Sequence, residues 1–183
     1  LLKYAGVNGV AAYGVLMYVN MIFLSVYLGY SVGVSPIISY HYGAKNNNEL
    51  KGVLKKSVFI MGFFSLVLFA TVQLLAKPMS TIFVGYDIEL MKLTQRGFFI
   101  YAFSFHFSGV SIFGSSFFTA MNDGLVSASI AFMRTIIFQV ISVLIFPLFW
   151  GVDGVWLSVV LAEAMALFAA LAFFAANKKK YLY

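Results

Sequence analysis

The chain has 183 residues, of which 62% are hydrophobic and 10% are charged, and its mean hydropathy is +0.96. Soluble domains carry about 25% charged residues, so this composition excludes a water-soluble domain and predicts an integral membrane protein. The formal net charge of +6 is spread between apolar runs, which favours a role in membrane orientation and not nucleic-acid binding. The absence of cysteine excludes disulfides and thiolate metal sites.

Five apolar stretches are long enough to cross a bilayer as helices, since a crossing needs about 20 apolar residues. Their uniform apolarity does not fit the alternating pattern of a membrane β-barrel. The predicted fold class is therefore an all-α, polytopic transmembrane helix bundle that forms a single domain over residues 1–183. The predicted spans are residues 10–40, 57–76, 97–121, 125–149 and 155–176.

Polar and turn-forming residues predict the connectors between these spans. Lys77 and Pro78 should end the second span, because proline disfavours helix in the residue before it. The one long connector, residues 80–95, is expected to contain a short interfacial helix near Asp87 and Glu89. Shorter turns are predicted at the Asn-Asp-Gly and Gly-Val-Asp-Gly sequences of residues 122–124 and 151–154.

The distribution of lysine and arginine predicts the orientation in a plasma (inner) membrane. If the first span runs from outside to inside, more basic residues lie on the cytoplasmic side than on the outer side, as the positive-inside rule requires. The inner set is Lys45, Lys51, Lys55, Lys56, Lys178, Lys179 and Lys180, and the outer set is Lys3, Lys77, Lys92 and Arg96. Five spans put the termini on opposite faces, so we expect a further helix before Leu1 in a longer protein.

The first span carries Gly29, Gly33 and Pro36. The two glycines form a GxxxG pair that lets another helix approach closely. Proline removes a helical hydrogen bond and produces a kink. Two interpretations stay open: close helix packing, or a hinge for conformational change.

The third span places small and polar side chains on one helical face, at steps of three and four residues. This serine stripe should face protein or a water-filled cavity, and both uses are consistent with the pattern. The phenylalanines on the remaining faces are expected to contact lipid. The stripe comprises Gly97, Tyr101, Ser104, Ser108, Ser111, Ser115, Thr119 and Asn122, and the phenylalanines are Phe98, Phe99, Phe103, Phe105, Phe107, Phe113 and Phe117.

Ionisable side chains at membrane depth are costly and are candidates for function. Arg134 and Glu163 lie about 13 Å and 12 Å into the fourth and fifth spans from opposite membrane faces. When both depths are measured from the same face of a hydrocarbon core about 30 Å thick, they differ by roughly 5 Å. They predict a direct pair or a shared polar pocket, used either structurally or for ion coupling. His106 is expected to be a packed neutral imidazole, and Asn20 and Gln139 are expected to bond between helices.

The chain contains no phosphate-binding loop, metal-spaced histidine cluster or nucleophile elbow, so an enzyme is not expected. Residues Gly33–Lys45 read GVSPIISYHYGAK, which resembles the signature of the MATE (multidrug and toxic compound extrusion) family. Three further landmarks are similar to the family pattern in order and spacing. They are Gly9–Gly14, the arginine-bearing Phe132–Arg134, and Gly154–Trp156 followed by Ala162 and Glu163.

The resemblance implies one lobe of a two-lobe, twelve-helix transporter, with this chain holding the eighth to twelfth helices and the N-terminal lobe lying outside it. It implies antiport of amphipathic or cationic drugs against Na⁺ or H⁺, with no cofactor and with membrane lipids and small molecules as partners. The sequence departs from the family pattern at His41, where asparagine is usual, and in lacking an aspartate in the third span. Two alternatives are a flippase for lipid-linked oligosaccharides in the same superfamily and a non-transporting membrane scaffold.

Overall fold

The computed structural model describes residues 2–181, and every regular element in that part of the chain is helical. A 3₁₀ turn at Ala102–Ser104 joins α3 to α4, and a π-helical segment at Met133–Phe138 joins α5 to α6. The α-helices are α1 Leu2–Gly43, α2 Asn47–Val84, α3 Ile88–Tyr101, α4 Phe105–Ala120, α5 Gly124–Phe132 and α6 Gln139–Tyr181.

These elements form four continuous helical stretches that are long and apolar enough to cross a membrane, within the described residues. The fourth stretch, Gly124–Tyr181, has 58 residues and would be about 87 Å long if it were straight. The all-helical class is confirmed, but the prediction of five separate spans is wrong in detail. The predicted fourth and fifth spans are two arms of this one stretch.

The fourth stretch folds back on itself at Gly151. The backbone of Gly151 has φ 55° and ψ −125°, a conformation that glycine adopts far more readily than other residues. A Cβ added at Gly154 would collide with the carbonyl oxygen of Phe146, so the chain on either side of the reversal is in close contact. A turn was predicted at this position, but the helix resumes directly after it.

The helices extend well beyond the predicted spans. Pro78 lies inside α2 and does not end it, so the predicted stop at this position is wrong. Asp87 Oδ1 accepts hydrogen bonds from the backbone N–H groups of Glu89 and Leu90 at 2.9 and 3.0 Å and caps α3. The predicted interfacial helix is therefore the first part of the third stretch, and only residues 85–87 separate it from α2.

The third stretch, α3 to α4, occupies the centre of the bundle. In its most apolar 18-residue segment, 67% of the residues are buried, against 22–33% in the corresponding segments of the other three stretches. Four of the seven phenylalanines expected to contact lipid are buried instead, and only Phe99 and Phe103 are exposed. Hydropathy could not reveal this, because a phenylalanine suits protein and lipid surroundings equally well. The buried four are Phe98, Phe105, Phe113 and Phe117.

The close approach of helices occurs at glycines other than the predicted pair. A Cβ at Gly109 in α4 would lie 2.8 Å from the ring of Tyr27 in α1, so only glycine fits there. The Tyr27 hydroxyl, buried at this contact, donates a hydrogen bond to the carbonyl oxygen of Phe105 at 2.8 Å. A Cβ at Gly29 or Gly33 would meet no atom within 4 Å. The GxxxG pair is therefore not a packing site within the described part of the chain.

Candidate functional site: a buried ion pair between two polar cavities

Arg134 and Glu163 form a two-bond ion pair inside the helix bundle. Arg134 Nε donates to Glu163 Oε2 at 2.9 Å, and Arg134 Nη2 donates to Glu163 Oε1 at 2.8 Å. The side chains are 17% and 12% exposed, so both charges are largely removed from solvent. The membrane depths predicted a direct pair or a shared polar pocket, and the direct pair is present, with both oxygens of the carboxylate engaged.

The local backbone at Arg134 is unusual. Arg134 is the second residue of the π-helical segment, where backbone hydrogen bonds span five residues and the helix is locally wider. Such segments are rare and are often found at functional positions. Nothing in the amino-acid sequence marks the change of helix type, because apart from Arg134 the segment consists of residues that are common in membrane helices.

A cavity of about 260 Å³ opens beside the ion pair, and we call it the polar cavity. Asn20, Gln139 and two tyrosines lie on its wall together with the charged pair. Thr135 adds a hydroxyl, and the rest of the wall is apolar. Neither Asn20 nor Gln139 makes the predicted interhelical side-chain hydrogen bond within residues 2–181, and both amides face a shared space instead. The lining residues are Tyr13, Met17, Asn20, Leu24, Tyr101, Arg134, Thr135, Gln139, Val159 and Glu163.

A second cavity, of about 250 Å³, shares Arg134 and Thr135 with the first and is called the hydroxyl cavity. Ser111 and Ser115 of the serine stripe lie on its wall. Ser31 of α1 also lines it, is 1% exposed, and has an Oγ atom without a hydrogen-bond partner in the described part of the chain. Part of the stripe is thus a cavity wall, as one of the two interpretations predicted.

The other part of the stripe packs against protein. Ser104 and Ser108 are both 2% exposed and line neither cavity. Ser108 Oγ donates to the carbonyl oxygen of Ser104 at 2.9 Å, so this hydroxyl is satisfied within its own helix. Each interpretation of the stripe therefore holds for a different segment of the same helical face.

The remaining candidates lie away from the ion pair. His106 packs against the ring of Phe69 with the centroids 4.7 Å apart, and its Nδ1 lies 3.4 Å from Ser65 Oγ. The backbone of α1 keeps helical dihedral angles at Pro36, and it leaves them only at Gly6. Within residues 2–181 no three His, Cys, Asp or Glu side chains come together as a metal site.

This architecture, a bundle of long apolar helices with a charged pair and two polar cavities inside it, is that of a polytopic membrane protein. The chain belongs to the MatE family, whose model matches residues 1–145. The predicted family is thereby confirmed, and the landmarks up to Arg134 lie within the matched residues. A comparison with the sequences of curated proteins found no match.

Several solved transporters share this fold. The structure of VcmN, a MATE transporter from Vibrio cholerae in its bent form, has a TM-score of 0.91 at 18% identity, covering 98% of this chain and 41% of that chain. An inward-facing multidrug resistance MATE family transporter of the MOP superfamily gives 0.89 at 19% identity, with 99% and 41% covered. A MOP superfamily transporter from Pyrococcus furiosus gives 0.87 at 20% identity, with 99% and 40% covered.

At these identities the likeness establishes the fold alone. The chain spans about two fifths of the length of the solved transporters that it matches, namely 40–41%. A substantial part of those proteins therefore has no counterpart in this chain.

Proposed function

We propose that the chain is the second-lobe part of a secondary active transporter that exports amphipathic organic cations in exchange for Na⁺ or H⁺. The observation that carries the proposal is the position of Glu163, a buried carboxylate whose partner Arg134 stands between two polar cavities. Family membership supports the class of transporter, and the carboxylate supplies the group on which a cation can act.

The pair can act as a switch because a coupling cation and Arg134 compete for the same oxygen atoms. Both oxygens of Glu163 accept a hydrogen bond from Arg134. A proton or Na⁺ that binds the carboxylate offsets the negative charge on which both bonds depend and so weakens them. The guanidinium then loses its compensating charge in a region of low dielectric, which is costly enough to favour another arrangement of the helices.

The polar cavity offers further oxygen atoms close to the carboxylate. Asn20 and Gln139 carry amide oxygens, and Tyr13 and Tyr101 carry hydroxyls, on the wall that Glu163 shares. Oxygen ligands of this kind suit a hard cation such as Na⁺. A carboxylate without such neighbours would serve a proton equally well, so the two amides favour the sodium version of the proposal and provide a way to test it.

A flippase for lipid-linked oligosaccharides is less well supported. Recognition of a pyrophosphate group favours several cationic side chains around one cavity. Arg134 is the only Lys or Arg on the walls of the polar and hydroxyl cavities, and its charge is already paired with Glu163. A purely structural scaffold does not require the buried polar walls that the chain carries.

Transport itself should require the complete two-lobe protein, because alternating access moves one repeat against another around a shared site. Pro36 is proposed as a hinge in α1 for that motion. It lies on an exposed face of the helix together with Gly29 and Gly33, where no part of the described chain packs. Pro36→Ala in the complete protein should leave membrane insertion intact and slow transport, and unchanged transport would remove the hinge role.

The deciding experiment measures uptake of a fluorescent organic cation by proteoliposomes that contain the complete protein. Movement of the organic cation in one direction across the vesicle membrane should be driven by a gradient of Na⁺ or H⁺ in the opposite direction. It should stop when that gradient is collapsed. Gln139→Leu should weaken the response to Na⁺ and leave a response to H⁺ unchanged. Flux that ignores both gradients would refute the antiport mechanism.

A further inference from the structure

A basic groove lies at the end of the bundle where α2 begins and α6 ends. Its volume is about 260 Å³, and its two walls come from helices that are far apart in sequence. The lining residues of α2 recur at steps of three and four positions, and those of α6 do the same. Each helix therefore presents one face to the groove. The lining residues are Lys51, Leu54 and Lys55 from α2, and Phe174, Ala175 and Lys178 from α6.

The three lysines of the groove carry positive charge that the described part of the chain does not neutralise. None of them forms an ion pair within residues 2–181. Asp123, at the same end of the bundle, is engaged by Lys180 at 2.9 Å and by the Tyr181 hydroxyl. Glu49, one turn from the groove, does not line it. The groove therefore has a charge of +3 around a floor formed by Leu54 and Phe174.

The surface changes from charged to apolar along both helices, moving away from the end of the bundle. On α2, Lys55 is followed at one-turn steps by Phe59 and Phe63, which are 76% and 57% exposed. On α6, Lys178 is preceded by Leu171 and Phe168, which are 46% and 71% exposed. A phospholipid has the same order of chemistry, with a phosphate at one end and acyl chains extending into the membrane.

We propose that this groove binds one anionic phospholipid, with its phosphate held by Lys51, Lys55 and Lys178 and its acyl chains lying along α2 and α6. Basic pockets between membrane helices recognise anionic head groups in this way. A zwitterionic lipid fits less well, because its terminal ammonium group would lie among three lysines. Lipid binding in this groove involves neither the ion pair nor the transport cycle, so it can be tested separately from the proposed function.

The test compares lipid binding to the purified protein in detergent by native mass spectrometry, with phosphatidylglycerol and phosphatidylcholine as probes. The groove variant replaces the three groove lysines by glutamine. The control variant makes the same replacement at three lysines of the opposite end, Lys3, Lys77 and Lys92, and so removes the same charge. Phosphatidylglycerol should bind wild type and control alike and bind the groove variant on the order of 100-fold more weakly, since each lysine contributes roughly a fivefold factor.

A second variant separates a lipid from a free anion. Ala175→Trp fills the groove without changing its charge, and Ala175 is exposed, so the fold should tolerate the larger side chain. It should displace phosphatidylglycerol, and glycerol phosphate should not compete for the site at concentrations well above that of the lipid. The proposal is overturned if both lysine variants lose binding equally, if phosphatidylcholine binds as tightly, or if glycerol phosphate displaces the lipid.

Discussion

The guanidinium of Arg134 and the carboxylate of Glu163 meet in two parallel hydrogen bonds, although 29 residues separate them in the chain. In one straight helix the two residues would lie about 43 Å apart. The reversal at Gly151 removes that distance, so a single glycine conformation brings the charged pair together. The placement of the ion pair therefore depends on the positive φ of this glycine.

Breaking the Arg134–Glu163 pair from one side should destabilise the protein. Glu163→Gln leaves the guanidinium uncompensated, and the expected loss is roughly 3 kcal/mol of unfolding free energy. Replacing both residues by methionine should recover part of this loss, because no unpaired charge then remains. Thermal unfolding of the purified protein in detergent measures both effects.

The matched control for this prediction is the ion pair of Arg96 and Asp153 at the other end of the bundle. Arg96 Nε donates to Asp153 Oδ1 at 2.7 Å, but the Arg96 side chain is 66% exposed. Asp153→Asn should therefore cost much less unfolding free energy than Glu163→Gln, because solvent screens the exposed pair. Equal losses at the two pairs would mean that burial does not distinguish them.

Glycine substitutions should separate the true helix contact from the predicted one. Gly109→Ala places a methyl group 2.8 Å from the Tyr27 ring and should cost about 1–2 kcal/mol through overpacking. Gly29→Ala meets nothing within 4 Å and should be neutral, or stabilising by up to about 1 kcal/mol, because alanine favours helix. A larger loss at Gly29 than at Gly109, measured by thermal unfolding, would contradict the packing described here.

The end of α6 should stay fixed over the physiological pH range. Hydrogen bonds from Lys180 and Tyr181 lower the pKa of Asp123 to about 2. Because this pKa is lower in the folded protein, the contribution to stability is complete above the ordinary carboxyl pKa of about 4 and is lost as the pH falls through about 2. The protection of the amides at the end of α6, taken as the exchange rate relative to that of an unstructured peptide at the same pH, should therefore not vary between about pH 5 and 8.

Asp123→Asn should lower that protection throughout the range from about pH 5 to 8, since the carboxylate that holds Lys180 is removed. Glu49→Gln is the control, because Glu49 forms no ion pair within residues 2–181. Protection that falls steadily between pH 8 and 5 in the wild type would show that Asp123 does not hold the helix end.

The sequence was sufficient for the helical class and for placing Arg134 and Glu163 at a common depth, because membrane thickness fixes depth along a helix. It left a direct pair and a shared pocket open, because it does not fix the rotation of each helix. It could not provide the helix ends, since helices continue past the hydrocarbon and tolerate Pro78 inside them. It also could not show that Phe113 and Phe117 are buried, because lipid and protein interiors favour the same side chains. No residue type in Met133–Phe138 indicates that the helix around Arg134 is π-helical.

The predicted orientation places the start of α2 inside the cell and the start of α3 outside. The chain has no cysteine, so single cysteines can be introduced without a background signal. Lys51→Cys should react with a membrane-impermeant maleimide only in inverted vesicles, and Ile88→Cys should react in intact cells. The opposite labelling pattern would reverse the orientation.

We propose that Glu163 is the carboxylate on which the coupling ion acts. The most direct measurement is ion-dependent efflux of an organic cation from proteoliposomes that contain the complete protein with Arg134→Gln and Glu163→Gln together, a change that leaves no buried charge. We predict that this variant stays folded and still exchanges substrate across the membrane, but that its flux no longer depends on Na⁺ or pH, whereas Asp153→Asn keeps that dependence. Full ion dependence in the double variant would contradict the claim.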